Sequence, residues 1–121
     1  MQSFRRLDVW KRAHAQALNV RRATRSFPRS GYTKLKSQLV SSAESIVFNI
    51  VEGCGAISNP EFARFLDISI KSTMELEGQL QLAHDYGILH RREWRTLTAE
   101  TIEIRRMLCG LRRKVVDDDE G

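Results

Sequence analysis

The side chains whose types and spacing suggest chemistry are few. Asn49 and Glu52 stand one helical turn apart, and so do Ser72 and Glu75. Carried on facing helices, the four would converge, and paired carboxylates can pass a proton as general acid and base. No nucleophile or metal ligand accompanies them, so we read them as a structural polar network that sets the register of two helices. Cys54 and Cys109 lie far apart on apolar segments and read as free thiols. There is no Cys-x-x-Cys, and His14, His84 and His90 form no His-Glu-x-x-His pattern, so neither a metal nor a cofactor is expected. Gly53-Cys54-Gly55 reads as a turn and lacks the Lys-Ser/Thr of a phosphate loop. An enzyme is not expected.

The arginines carry more information. Lys11, His14, Leu18, Arg22, Arg25 and Arg29 recur at three- and four-residue steps, about 100° from the apolar stripe of the same segment, with Arg21 beside them. Lys34 and Lys36 extend the positive region. Farther on, Arg95, Arg105 and Arg112 share one flank of a helix, and Arg106 and Arg113 another. Arg outnumbers Lys 15 to 5, and the guanidinium fork matches phosphate as well as carboxylate. We take Arg21, Arg22, Arg25 and Arg29 as the first candidates for nucleic-acid contact, and Arg105, Arg106, Arg112 and Arg113 as the second set. The alternative is a solvated basic face, or arginines paired with acidic residues of a neighbouring subunit. Trp10, Trp94 and Phe27 fall on core stripes, which leaves few aromatics for base stacking. Contacts should therefore be mainly to phosphates and fall with added salt.

The charge is unevenly placed along the 121 residues. Basic residues number 20 and acidic residues 15, for a net charge of +5. Four of the acids are Asp117, Asp118, Asp119 and Glu120; without them 20 basic residues face 11 acidic ones, a net of +9. Residues 1–36 hold ten basic residues and one acid, residues 37–90 two and seven, and residues 91–116 eight and three. No run of about 18 apolar residues is present, so no membrane span is expected. The first residues lack the apolar run of a signal peptide, and cytoplasmic residence is the expectation.

Four periodic segments must position these side chains, and each predicts a helix. The first spans about Leu7 to Ser26, with Trp10, Ala13, Ala17, Val20, Thr24 and Phe27 on one face, and ends at Phe27-Pro28. The second spans about Tyr32 to Gly53, with a stripe of Leu35, Leu39, Ser42, Ile46 and Ile50 beside a second of Val40, Val47 and Val51. Phe48 lies farther round, and so broad an apolar surface suggests a second subunit; a central helix with one exposed aromatic is the alternative. Phe48, Val47, Val51 and Ile102 are the candidate interface residues. The third helix starts at Asn59 as N-cap, with Pro60 and Glu61 in the first turn, and ends near Tyr86-Gly87. The fourth spans about Arg91 to Val115 in a strict 3,4 rhythm from Trp94 through Thr101 and Leu108. Gly78 and Gly110 stand inside helices, marking either close contacts or plain tolerance. Helices this long with short loops predict an all-α, up-down-up-down antiparallel four-helix bundle over residues 1–116, with residues 117–121 as a flexible acidic tail that could lie over a basic surface.

One string is specific enough to compare with a family. Ala43-x-Ser45-Ile46-x-x-Asn49-Ile50-x-Glu52-Gly53, preceded by Gln38-Leu39, is followed by Phe62-x-x-Phe65-Leu66-x-Ile68 and Ser72-x-x-Glu75-Leu76-Glu77. Phe4-x-x-Leu7-x-Val9-Trp10 and Phe27-Pro28 fit as well. This pattern resembles the bacterial four-helix-bundle family first known as proteins encoded within 23S rRNA intervening sequences. That fold family includes the accessory variability proteins of diversity-generating retroelements. The resemblance covers residues 4–90, and the fourth helix by period only. Ser69 departs from it, where a small apolar residue would be expected. The resemblance implies a four-helix protomer assembled as a ring-like homopentamer, without enzymatic activity. It also implies binding to RNA or DNA, or to a nucleoprotein partner such as a reverse transcriptase or an RNA-processing protein. A protein–protein adaptor with no nucleic-acid contact is the competing expectation.

Overall fold

Each of the four periodic segments is helical in the computed structural model, which describes residues 3–120. A 3₁₀ turn, Phe4–Arg6, precedes α1 (Asp8–Thr24), α2 (Thr33–Cys54), α3 (Asn59–Asp85) and α4 (Arg91–Glu120), and no strand occurs among the described residues. The chain is an all-α four-helix bundle. Its antiparallel order is written in the side-chain partners. Ser45 and Ser72 meet at 2.8 Å, and the Ser69 hydroxyl donates to the Ile46 carbonyl at 2.9 Å across α2 and α3. Arg105 pairs with Glu77 and Arg112 with Asp67 across α3 and α4. Arg12 pairs with Glu100 across α1 and α4. No helix of the described residues is long and apolar enough to cross a membrane.

The core is built from the predicted apolar periods. Leu39, Ile46, Ile50, Leu66, Leu76, Leu80, Ile104 and Leu108 are fully buried. Each contributes about 1.5–3 kcal/mol relative to an exposed side chain. On α1 and just beyond it, four of the six expected face residues, Ala13, Val20, Thr24 and Phe27, are buried, whereas Trp10 and Ala17 are half-buried. Val9, Gln16 and Ala23 are buried as well, which turns the centre of the face away from Trp10 and Ala17. Gln16 is accommodated because its amide donates to the Leu97 carbonyl at 2.8 Å and to the Thr101 hydroxyl at 2.9 Å. A polar residue is satisfied at the α1–α4 seam, which the apolar period alone does not mark.

Local chemistry accounts for the helix ends. The N-cap of α3 is Ser58 rather than Asn59; its hydroxyl accepts from the Glu61 N–H at 3.3 Å, and the Glu61 carboxylate accepts from the Ile57 N–H. At the other end Gly87 takes φ +81°, and the Ile88 and Gly87 N–H groups donate back to the Ala83 and His84 carbonyls, a Schellman closure. Gly53 and Cys54 belong to α2 rather than to a turn. A Cβ on Gly53 would stand 2.8 Å from the Phe62 ring and 3.3 Å from Cβ of Phe65, so glycine permits the close approach of α2 and α3. Gly78 and Gly110 have open space around them. Finally, α4 runs past Val115 through Asp117, Asp118 and Asp119 to Glu120, where a flexible tail was expected; Gly121 lies outside the described residues.

Candidate nucleic-acid interface

Antiparallel packing gathers four chain segments at one end of the bundle. The C-terminal turn of α1, the loop into α2, the first turn of α2 and the α3–α4 connection all lie there. Residues 21–36 supply Arg21, Arg22, Arg25, Arg29, Lys34 and Lys36 with no acid. Residues 86–95 add Arg91, Arg92 and Arg95 against Glu93 alone. None of these nine cations pairs with a carboxylate among the described residues; Arg22 donates to the neutral Asn19 side chain at 3.0 Å. With Val9, Gln16 and Ala23 added to the core face of α1, Lys11, Leu18, Arg22 and Arg25 lie roughly opposite the core, rather than 100° from it, and all four are exposed. Arg22 and Arg92 line a groove of about 360 Å³ between α1 and α4. Arg21, Arg25 and Lys36 line a larger one of about 570 Å³ between α1 and α2, with Glu44 at its edge.

Electrostatics of the helix ends bear on this cluster. Arg21 and Arg22 in the last turn of α1 sit where the dipole favours cations. Lys34, Arg91 and Arg92 sit in the first turns of α2 and α4, where the dipole opposes them, and α2 has no acid in its first turn. Each such placement costs about 0.3–1 kcal/mol at low ionic strength. Sequence reasoning passed over Arg91 and Arg92. Their signal was the antiparallel return of the fourth helix, which places residues 91–95 beside residues 19–25.

The second arginine set is placed differently. Arg105 donates to Glu77 at 2.8 Å, Arg106 makes a two-pronged contact with Glu103, and Arg112 does so with Asp67. These partners hold the Arg106 and Arg112 guanidiniums above their ordinary pKa, and Arg106 draws the Glu103 carboxyl below its own. The carboxylates lie in the same chain, two of them in the acidic middle of the sequence. Arg113 is exposed. Asp119 shares a groove with Arg64 and Arg112, at the end of the bundle opposite Arg21–Arg29.

Of the four polar motif residues, the structure brings two together. Asn49 donates to the Ser45 carbonyl at 2.8 Å and to its hydroxyl at 3.1 Å, and Ser45 bridges to Ser72. Ser69, fully buried, completes the seam, so the hydroxyl at this position has its own partner. Glu52 and Glu75 are exposed and hydrogen-bond to no other described side chain. Both cysteines are free, and burial pushes the Cys54 thiol up. Among the described residues no cluster of His, Cys, Asp and Glu suits a metal ion. Of the interface candidates, Val47 is buried in the protomer and Val51 half-buried, whereas Phe48 is 59% exposed and Ile102 45%.

Two aromatics at the basic end were not among the expected site residues. Tyr32 and Tyr86 cap α2 and α3 respectively, and their rings meet at 5.7 Å with a 45° tilt. Tyr32 has φ 58° and ψ 12°, the one positive φ outside glycine among the described residues. The two tryptophans are half-buried rather than in the core. Trp94 stacks on His84 at 4.2 Å, and Trp10 packs between Phe4 and His14.

The fold recurs in a solved structure. A crystal structure of a protein with unknown function from the S23 ribosomal protein family of Bacteroides thetaiotaomicron VPI-5482 superposes with a TM-score of 0.78 at 22% identity, covering 85% of this chain and 96% of that one. No curated protein matches the sequence. The profile of the 23S rRNA-intervening sequence protein family spans residues 5–110, from before α1 through the first two thirds of α4 and through the whole of the Ser45–Asn49–Ser72 seam, and the chain belongs to that family.

Proposed function

We propose that the protein is a non-enzymatic, homo-oligomeric bundle that binds nucleic acid electrostatically through the end carrying Arg21, Arg22, Arg25 and Arg29. The observation that supports it best is the set of nine cations gathered there without carboxylate partners among the described residues, three of them in helix first turns that disfavour them. Stability alone does not account for such a placement. Guanidinium forks and helix N-termini both suit phosphate oxygens. The paired set on α4 contributes less, because Glu77, Glu103 and Asp67 already occupy Arg105, Arg106 and Arg112. Fluorescence anisotropy with labelled RNA and DNA tests the reading. Binding should be tight at low salt and weaken steeply as salt is raised. Absence of binding at low salt would refute it.

Assembly is the second part of the reading. Exposed apolar side chains occur on three helices of the bundle, with Phe48 on α2, Ile68, Met74 and Leu82 on α3 and Ile102 on α4. Apolar surface spread over several helices suits contact with more than one neighbouring subunit, in keeping with the pentamer the family resemblance implies. Phe48→Asp should then yield protomers in light scattering, and a monomeric mass for the unmodified protein would remove the ring. The same patches would serve an adaptor that meets a reverse transcriptase or RNA-processing enzyme. Co-purification that survives nuclease treatment would favour that role.

A further inference from the structure

The basic end holds a pair of aromatic rings that no phosphate contact needs. Tyr32 is 39% exposed and Tyr86 54%, so their mutual contact leaves much of both rings open to solvent. Neither phenol is hydrogen-bonded to another described residue. Tyr32 is held in the left-handed region, which a bulky side chain rarely adopts and which recurs at binding and catalytic sites. Arg29 and Lys34 flank Tyr32 in sequence, and Arg91 and Arg92 follow Tyr86 across a short turn. The aromatic pair is thus surrounded by cations on both of the loops that form this end.

We propose that Tyr32 and Tyr86 form a stacking platform for an unpaired base, and that the ligand of the basic end is single-stranded rather than duplex nucleic acid. The inference rests on the nucleic-acid reading above and narrows it. In a duplex the base faces are already stacked on one another, so an exposed tyrosine pair adds nothing to phosphate contact. A single strand can run its phosphates along the arginines and turn a base onto a ring. Stacking of this kind tolerates any base, because each has a π-face. The strength of binding would then divide into a salt-dependent share from Arg21–Arg29 and a salt-independent share from the tyrosines.

The test uses the full-length protein, a single-stranded oligonucleotide of roughly 4–16 nucleotides containing one 2-aminopurine, and the same sequence as a duplex. The unmodified protein should bind the single strand more tightly than the duplex and quench the 2-aminopurine. The double variant Tyr32→Asn/Tyr86→Leu, with an Asn that accepts the left-handed backbone, should bind the single strand about 5- to 100-fold more weakly, with the slope of affinity against salt unchanged. Tyr32→Phe/Tyr86→Phe keeps both ring faces and should bind like the parent. Equal affinity for single strand and duplex, undiminished binding by the Asn/Leu variant, or no quenching by the unmodified protein would each overturn the platform while leaving the arginine reading in place. No salt-dependent binding of either form would remove both.

Discussion

Replacing Arg22, Arg25 and Arg29 by Gln removes three charges from one end of the bundle. Replacing Arg105, Arg106 and Arg112 by Gln removes three from α4. Both changes lower the net charge from +5 to +2, so a protein acting only through its overall charge would respond to them equally. The structure predicts otherwise, because the first three arginines face no carboxylate and the second three each face one. Each phosphate contact contributes about 0.9 to the logarithmic salt slope on duplex and about 0.7 on a single strand. Loss of three contacts should lower the slope by about 2.7 or about 2.1. Between 50 and 200 mM salt that is about 40-fold less loss of affinity on duplex and about 20-fold less on a single strand. The α4 variant should keep the parent's slope; Arg106 and Arg112 form solvent-screened pairs that contribute little stability, so any loss should come from the half-buried Arg105–Glu77 pair. Anisotropy titrations at four or more salt concentrations, for parent and both variants, measure the slopes. Equal slopes for the two variants would refute the localisation, and an unchanged slope in the first variant would refute any role for Arg22, Arg25 and Arg29.

Three other outcomes follow from the same geometry. Lys34→Glu replaces a disfavoured cation by a favoured anion in the first turn of α2, so it should stabilise the fold by about 0.6–2 kcal/mol in denaturant melts while weakening nucleic-acid binding. Gly78→Ala and Gly110→Ala, in open space, should each stabilise by about 0.5–1 kcal/mol. Gly53→Ala should show no such gain, because its Cβ meets the Phe62 ring. Deleting residues 117–121 should leave nucleic-acid affinity unchanged at physiological salt, since α4 holds Asp117–Asp119 about 40 Å from Arg91, several times the screening length of about 8 Å. Tightened binding after the deletion would place the acidic residues against a basic end, of this or a neighbouring subunit.

The bundle was legible because its apolar residues repeat strictly at three and four, and because Pro28, Gly31, Gly55 and Gly87 all fall between the periodic stretches. The errors lie where a polar residue behaves as a core residue or the reverse. Gln16 is buried because Thr101 and Leu97 offer it partners on another helix, information that no local pattern contains. Ser58 took the cap from Asn59: its hydroxyl accepts the Glu61 N–H while the Glu61 carboxylate accepts the Ile57 N–H, a choice of one residue between two good caps. The acidic end of α4 reads as a solvated tail in composition, yet it continues the helix beyond Val115. Arg105 and Arg112 looked equivalent to Arg22 and Arg25 in sequence. Only the register of α3 against α4, which brings Glu77 and Asp67 opposite them, separates the two sets.

That separation also bears on what the basic end is for. Were the arginines distributed to stabilise the bundle, they would lie at helix C-termini or opposite acids, as Arg21, Arg105 and Arg112 do. Lys34, Arg91 and Arg92 do neither, and they share one end of the bundle with six other cations. Like charge gathered at that end is added to the unfavourable dipoles of α2 and α4, and the left-handed Tyr32 adds strain at the same end. These local costs coincide at one end of a fold whose α2–α3 and α3–α4 seams carry bonded hydroxyls and paired charges. A polyanion reverses the sign of two of them on binding: it neutralises the repulsion and it complements the helix N-termini. The third, the raised ring of Tyr32 beside Tyr86, is the feature that a bare phosphate would leave unused and an unpaired base would not.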